Sequence, residues 1–184
     1  MNAKLDMIIG PMFSGKSCYL ISRIRVLKVL EKPYLVIKPK MDNRYSDDSV
    51  IESHSLEREK CIMGDNLFDA IDFTKKITYD TIFIDESQFF PDLKKFVLVM
   101  LEKYNTNIVV TGLDGDFKRN PIGQVLDLIP FSDTCIKKQS LCKMCKNGTM
   151  ASFTHRLTEN KEQIQIGASE AYTPLCRKHY TELN

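Results

Sequence analysis

Four short, almost uninterrupted apolar runs, Leu5–Ile9, Tyr34–Ile37, Thr81–Ile84 and Ile108–Thr111, punctuate the first two-thirds of the chain. Runs of this kind, without polar alternation, suit strands covered on both faces, as in a parallel sheet. Amphipathic stretches lie between them. Lys16–Leu30 sets Leu20, Ile24, Leu27 and Leu30 along one side, leaving Arg23, Arg25 and Lys28 as a solvated face. Leu67–Phe73 reads as a second helical segment, and Asp92–Lys103 as a third that turns Phe96 and Met100 inward after an entry marked by Pro91. Alternating strands and helices predict an α/β fold with a parallel sheet flanked by helices. From Cys135 onward short strand-like pieces alternate with Cys-bearing turns. The expected organisation is therefore an α/β unit over residues 1–134 and a small β-rich unit over 135–184.

The first run feeds directly into Gly10-Pro11-Met12-Phe13-Ser14-Gly15-Lys16-Ser17, a G-x-x-x-x-G-K-S sequence that opens the first helix. A strand leading through a Gly-rich turn into a helix N-terminus aims backbone N–H groups and the positive end of the helix dipole at phosphate oxygens. Lys16 would reach the β- and γ-phosphates, and the Ser17 hydroxyl would ligate Mg²⁺. The sheet is thus expected to be of the P-loop (RecA-like) type. Thr81–Ile84 ends in Asp85 and Glu86. Asp85 would hold Mg²⁺, usually through water, while Glu86 points the other way off the strand end and can accept a proton from an attacking hydroxyl. The polar stretch Asp42–Ser49 reads as an exposed loop, and loops at strand ends are where open α/β sheets place ligand chemistry.

Near the C-terminus Cys142-x-x-Cys145 and Cys176-x-x-His179 form two knuckles. Four such ligands in two pairs suit a closed, tetrahedral structural zinc; core cysteines and a redox C-x-x-C are the other readings, the latter lacking its usual place at a βαβ entry. A lobe of this size buries little apolar surface, so metal would supply its folding energy. Cys18, Cys61 and Cys135 have no partner spacing and read as small apolar fillers, and His54 and His155 as structural.

Composition narrows the class. At 184 residues the chain has room for one core and a small appendage, too little for a tandem two-domain motor. A net charge of +2 is far from the balance of a dedicated nucleic-acid binder. No apolar run approaches the roughly 20 residues that span a bilayer, and MNAKLDMIIGPMF carries no signal-peptide cleavage pattern. A cytoplasmic location with reduced thiols is expected.

With GPMFSGKS, DNRYS, IFIDESQFFPD, LDGDFKRNPIG, ASFTHRL and IGASEAYTPLCRKHY in that order, nearly the whole chain resembles the thymidine kinase family of the cellular, bacterial and large-DNA-virus type. The resemblance implies transfer of the ATP γ-phosphoryl group to the 5′-hydroxyl of thymidine or deoxyuridine with Mg²⁺. It makes Glu86 the general base and Gly10–Ser17 the phosphate grip, with Asp85, Ser87 and Gln88 beside the metal and nucleotide. Asp42, Asn43 and Arg44 match a loop that helps hold nucleotide phosphates, where Arg44 could also neutralise developing charge. Phe117 matches an aromatic that packs on thymine; Met12, Phe89, Leu113, Thr154 and Tyr172 match the wall around the base. Gln163, Ile164, Gln165, Ile166 and Gly167 match a lasso whose backbone reads the base, held by a zinc-anchored lid. His179 stands where many relatives carry cysteine. Family members are generally homotetramers (a dimer is the lesser expectation) inhibited by thymidine triphosphate; no membrane and no direct nucleic-acid partner is implied.

Three other functions compete. Asp85-Glu86-Ser87-Gln88 also looks like a helicase DExQ box, which would need a second motor domain. A zinc-ribbon adaptor would use the basic residues around the knuckles, Lys137, Lys138, Lys143, Lys146, Arg177 and Lys178, and leaves the phosphate loop unexplained. A kinase of another deoxynucleoside could share the scaffold, because an apolar wall discriminates a methyl group by only about 1–3 kcal/mol.

Overall fold

A computed structural model describes residues 2–41, 50–52 and 58–183. In chain order the elements are β1 (Leu5–Ile9), α1 (Lys16–Val29), β2 (Tyr34–Pro39), β3 (Val50–Glu52), β4 (Arg58–Lys60), β5 (Ile62–Gly64), β6 (Thr81–Ile84), α2 (Leu93–Glu102), β7 (Asn107–Gly112) and β8 (Thr134–Lys137). A C-terminal lobe adds β9 (Ser140–Leu141), β10 (Met150–Ala151), β11 (Phe153–Arg156), β12 (Tyr172–Leu175) and α3 (Arg177–Leu183).

Six strands form one sheet in the order β5-β2-β6-β7-β1-β8, and every neighbouring pair is parallel. Strand side chains alternate between two cores. Ile8, Val36, Phe83 and Val109 pack against Leu20, Ile21 and Ile24 of α1. Met7, Ile9, Ile37, Ile82, Ile84 and Val110 pack with Phe96, Val97 and Met100 of α2. A fully buried side chain of this kind stabilises by about 1.5–3 kcal/mol. Because the strands are parallel, their C-terminal ends share one edge. The loops after β1, β6, β7 and β8 therefore meet there, as open α/β sheets require of a ligand site. The lobe is built from two antiparallel pairs, β9 with β10 and β11 with β12, around a small core of Cys142, Ala151, Leu175, Cys176 and Tyr180.

The expected β1 and β6 match the observed strands, while β2 and β7 extend by one or two residues. The expected helix at Leu67–Phe73 is a single 3-10 turn, Phe68–Ala70. Asp72 stops it: its Oδ1 accepts from the Thr74 N–H at 3.0 Å and from the Thr74 hydroxyl, and such local side-chain bonds compete with a helix. Asp92, placed at the start of the third helix, lies just before α2. Its two carboxylate oxygens reach back to the N–H groups of Leu67 and Phe68, each at 3.1 Å, and Gln124 Oε1 instead accepts from Lys94 N–H at 2.9 Å. Leu30 is exposed, not inward. Arg23 and Lys28 are not simply solvated: Arg23 pairs with Asp6 at 2.8 Å and Lys28 with Glu59 at 2.6 Å, tying α1 to β1 and β4. Cys61 is a buried filler, whereas Cys18 is half-buried and Cys135 is exposed. His54 lies outside the described residues.

The edge strand β8 was not foreseen as part of the main sheet. It pairs with β1 from Asp6↔Thr134 to Ile9↔Lys137, so the sheet continues into the residues assigned to the second unit.

Gly123 adopts φ +58°, and a Cβ on it would lie 2.2 Å from the Gln88 carbonyl oxygen. Gly123→Ala is expected to destabilise the fold by at least about 1–2 kcal/mol, read as a lowered urea midpoint at unchanged slope; an unchanged midpoint would show that the two backbones separate freely.

Candidate active site

The chain leaves β1 at Gly10, which packs so closely on β8's continuation that a Cβ would come within 2.5 Å of Lys138 O. Lys138 N–H donates to Ile9 O at 2.8 Å and fixes that approach. Gly15 then turns into α1 with φ 74°, and no side chain caps the helix, so its first N–H groups are left for a ligand at the loop. Lys16 is buried, its ammonium donating to the carbonyls of Gly10 at 3.2 Å and Pro11 at 2.9 Å. Ser14 Oγ also donates to Pro11 O, at 2.8 Å. Phe13 sits at φ 63°, a left-handed conformation unusual for a bulky residue.

Asp85 follows β6 and is 2% exposed. Ser17 Oγ donates to its Oδ2 at 3.0 Å, Thr111 Oγ1 to its Oδ1, and the Glu86 N–H to Oδ1 at 3.0 Å. The start of α1 and the ends of β6 and β7 thus share one carboxylate. Glu86 takes φ 47° and ψ 43°, which breaks the strand and turns its side chain off the strand line. Gln88 Nε2 donates to Glu86 Oε2 at 2.6 Å, while Gln88 Oε1 accepts from Leu113 N–H at 3.1 Å. Both ends of the Gln88 amide therefore orient protein groups. Ser87, expected near the nucleotide, is fully buried; among the described residues its Oγ has no hydrogen-bond partner, and a Cβ on Gly112 would lie 2.6 Å from it.

Beside Glu86 a partly open cavity, with room for water-sized groups of about 50 Å³, lies between the sheet edge and the C-terminal lobe. Met12, Phe89, Leu113, Phe117, Thr154, Tyr172 and the segment Gln163–Gly167 all line it, as does Glu86 itself. Its wall is mostly apolar with a few convergent polar groups, the usual make-up of a small-molecule pocket. Thr154 Oγ1 accepts from the Met12 N–H at 3.0 Å, which fastens the lobe to the phosphate loop. Tyr180 OH donates to the Phe117 carbonyl at 2.6 Å, and Gln163 Nε2 donates to Asp116 Oδ2 and Pro121 O, each at 3.1 Å. Five residues of the wall were not expected: Met41, Gly115, Asp116, Ile122 and Arg156. Arg156 shares a face of β11 with Thr154 by strand alternation, a signal available in the sequence. Asp42, Asn43 and Arg44 lie outside the described residues.

The donor atoms of Cys142, Cys145, Cys176 and His179 all lie within 4.8 Å of one another. A tetrahedral zinc with its usual bond lengths has S···S edges of about 3.8 Å and S···N edges of about 3.6 Å. Cys145 Sγ and Cys176 Sγ are 3.8 Å apart, and His179 Nδ1 is 3.4, 3.4 and 3.5 Å from the sulfurs of Cys142, Cys145 and Cys176. The four residues fit zinc by donor type and by spacing. Against the desolvation of burial, backbone N–H groups of Cys176, Cys145 and Met144 and the His179 ring pull the Cys142 thiol down to about 6, toward the thiolate that binds metal. His155 is on β11, away from this group.

A Gly-rich strand-to-helix loop tied to one buried carboxylate, with the next acid in the wall of a mostly apolar pocket, is the layout of a P-loop enzyme acting on a small molecule. Comparison with known proteins gives the family: the thymidine kinase family model matches residues 3–180, and the chain belongs to that family. A thymidine kinase of Pseudothermotoga lettingae is 34% identical, with 100% of this chain and 97% of that protein covered. One from vaccinia virus (strain Western Reserve) is 36% identical over 97% of each. One from Oryza sativa subsp. japonica is 38% identical over 97% of this chain and 66% of its own length.

Purified protein is expected to carry about one zinc per chain. Cys145→Ser should lose it and weaken nucleoside binding before nucleotide binding; unchanged metal content would remove Cys145 from the ligand set.

Proposed function

We propose that this chain transfers the γ-phosphoryl group of ATP to the 5′-hydroxyl of thymidine, and of deoxyuridine, giving the monophosphate for DNA synthesis. One observation carries the reading. The pocket suited to a nucleoside and the loop suited to a nucleotide meet at adjacent residues, Glu86 in the pocket wall and Asp85 bonded to Ser17.

In this reading Gly10–Ser17 hold the donor phosphates through backbone N–H groups, and Lys16 exchanges its loop carbonyls for phosphate oxygens. Asp85 and Ser17 are hard oxygen donors side by side and suit Mg²⁺, which when bound would neutralise phosphate charge and help orient it. The nucleoside lies against Phe117, and the lasso Gln163–Gly167 reads its base. Glu86 Oε accepts the proton of the 5′-hydroxyl as that oxygen forms its bond to the γ-phosphorus. The bond from phosphorus to the β–γ bridging oxygen breaks, and ADP leaves with the electron pair. Gln88 keeps Glu86 aimed, and the lobe over the cavity limits the water that would compete with the hydroxyl. Zinc stays outside the chemistry and holds the lobe. Asp42, Asn43 and Arg44 belong to the nucleotide phosphates by family likeness.

The α/β unit 1–134 would thus supply donor binding and the base, and 135–184 the lid. No described helix is long and apolar enough to cross a membrane. A cytoplasmic enzyme, assembled as a homotetramer or dimer and inhibited by thymidine triphosphate, accords with the family. The exposed Val26, Val29 and Leu30 along α1 give apolar surface for contact between copies.

Phosphoryl transfer from ATP-Mg²⁺ to a panel of deoxynucleosides tests the proposal, with monophosphate expected from thymidine and deoxyuridine and none from purine nucleosides. No product from any nucleoside, with ATP hydrolysis stimulated by nucleic acid, would overturn it. Glu86→Gln should bind ATP normally and lower kcat by about 10²–10⁴-fold; turnover within a few-fold of wild type would mean that Glu86 is not the base.

A further inference from the structure

The segment that closes the cavity, residues 157–171, runs from β11 to β12 without strand or helix of its own. Such a segment needs its backbone polar groups satisfied from elsewhere. Arg156 ends β11 and Tyr172 begins β12, directly opposite in the ladder. Arg156 is 5% exposed. One terminal nitrogen donates to Asn160 O at 2.9 Å and to Glu162 O; the other donates to Gln163 O at 3.2 Å and to the Tyr172 hydroxyl at 2.7 Å. Tyr172 OH donates onward to Gln165 O at 2.7 Å. Carbonyls at 160, 162, 163 and 165 are thus gathered onto one guanidinium and the phenol beside it.

The same guanidinium lies 3.8 Å from the centroid of the Phe117 ring and 5.2 Å from that of Tyr172. Among the described residues it has no ion pair, and its Nε carries no hydrogen-bond partner. A buried cation without a carboxylate is costly, and here only loop carbonyls and ring faces offset that cost. The arrangement therefore couples two things: the loop cannot leave without stranding the charge, and the charge fixes the face of Phe117.

We propose that Arg156 is a positioning residue for nucleoside recognition, holding the 160–165 backbone and the Phe117 ring in one arrangement through its planar fork. This rests on the nucleoside-kinase reading of the cavity. Lysine cannot replace it, since a single ammonium cannot reach carbonyls on several sides and stack on a ring together.

Two readouts test this: steady-state kinetics with thymidine and ATP, and amide hydrogen exchange of residues 157–171 without nucleoside. Arg156→Met is expected to keep its zinc, to speed exchange in the segment, and to raise the thymidine KM about tenfold or more with kcat and the ATP KM nearly unchanged. Arg156→Lys should behave almost as badly. Wild-type exchange and thymidine KM in Arg156→Met, or full rescue by lysine, would overturn the proposal. Should both variants fold poorly, Tyr172→Phe decides, because it keeps the ring and removes only the link from Arg156 to Gln165. It should raise the thymidine KM about threefold and speed exchange near 163–167; no change in either would also overturn the proposal. If wild-type protein turns over no thymidine, the functional reading fails by itself, and exchange still reports whether Arg156 holds the loop.

Discussion

The carboxylate of Asp85 is the constraint on which the rest of the site depends. At 2% exposure it must accept hydrogen bonds wherever the fold supplies them, and its donors come from the first turn of α1, from β7 and from the following peptide. Satisfying one buried charge therefore fixes the distance between the phosphate loop and the ends of the two central strands. Glu86 inherits that geometry. It is one residue further along, and the Gln88 amide that contacts it is itself pinned by the Leu113 N–H. A change at Ser17 or Thr111 would thus reach the neighbouring acid without touching it.

The C-terminal lobe is attached through the parts of the sheet edge that face the cavity. Its core is too small to be rigid by apolar burial alone, and the four side chains that could hold a metal bring together the residue after β9, the following turn, the residue after β12 and α3. Helix α3 carries His179 and Tyr180 side by side. His179 points into the ligand group, and Tyr180 donates to the carbonyl of Phe117. Arg119, from the same loop as Phe117, lies 4.7 Å from the Tyr180 ring centroid. A metal bound there would consequently be linked mechanically to the wall of the pocket contributed by the α/β sheet, as well as to the segment that follows β11. A metal held by these four residues, none of which lines the cavity beside Glu86, would thereby bear on recognition in the proposed reading.

The parts of the fold legible in sequence were those dictated by burial on both faces. β1 and β6 read to the residue because their apolar runs are nearly continuous, broken in β1 by Asp6 alone, and end at Gly10 and Asp85. β8 escaped because an edge strand needs no such run: all four residues of Thr-Cys-Ile-Lys are exposed, and main-chain bonds to β1, with the Thr134 hydroxyl donating to Asp6, define it. Leu67–Phe73 looked helical by its apolar spacing, yet Asp72 and Asp92 spend their carboxylates on nearby N–H groups and leave a single turn. The pocket wall followed from the family resemblance more than from pattern. Arg156 went unread because an arginine at a strand end resembles a solvated charge; alternation with Thr154 marks its face, but its burial comes from the return of the chain through residues 160–165, which has no periodic pattern.

Glu86 shows how these pieces meet. Continuing β6 in extended conformation would carry residue 86 along the strand line, whereas φ 47° bends the chain into the 3-10 turn Ser87–Phe89 and presents the carboxylate to the cavity. A non-glycine residue in that conformation is strained by roughly 1–2 kcal/mol. The strain persists only because the turn is held from outside. Gly123 packs on the Gln88 carbonyl at a distance that admits no side chain, and Gly112 leaves room for the buried Ser87. These two glycines therefore act at a distance on the acid: each allows another backbone or side chain to press the turn into a shape that its own sequence would not choose. The general base of this reading is positioned by packing behind the turn, and the residues that decide its orientation have no need to face the substrate.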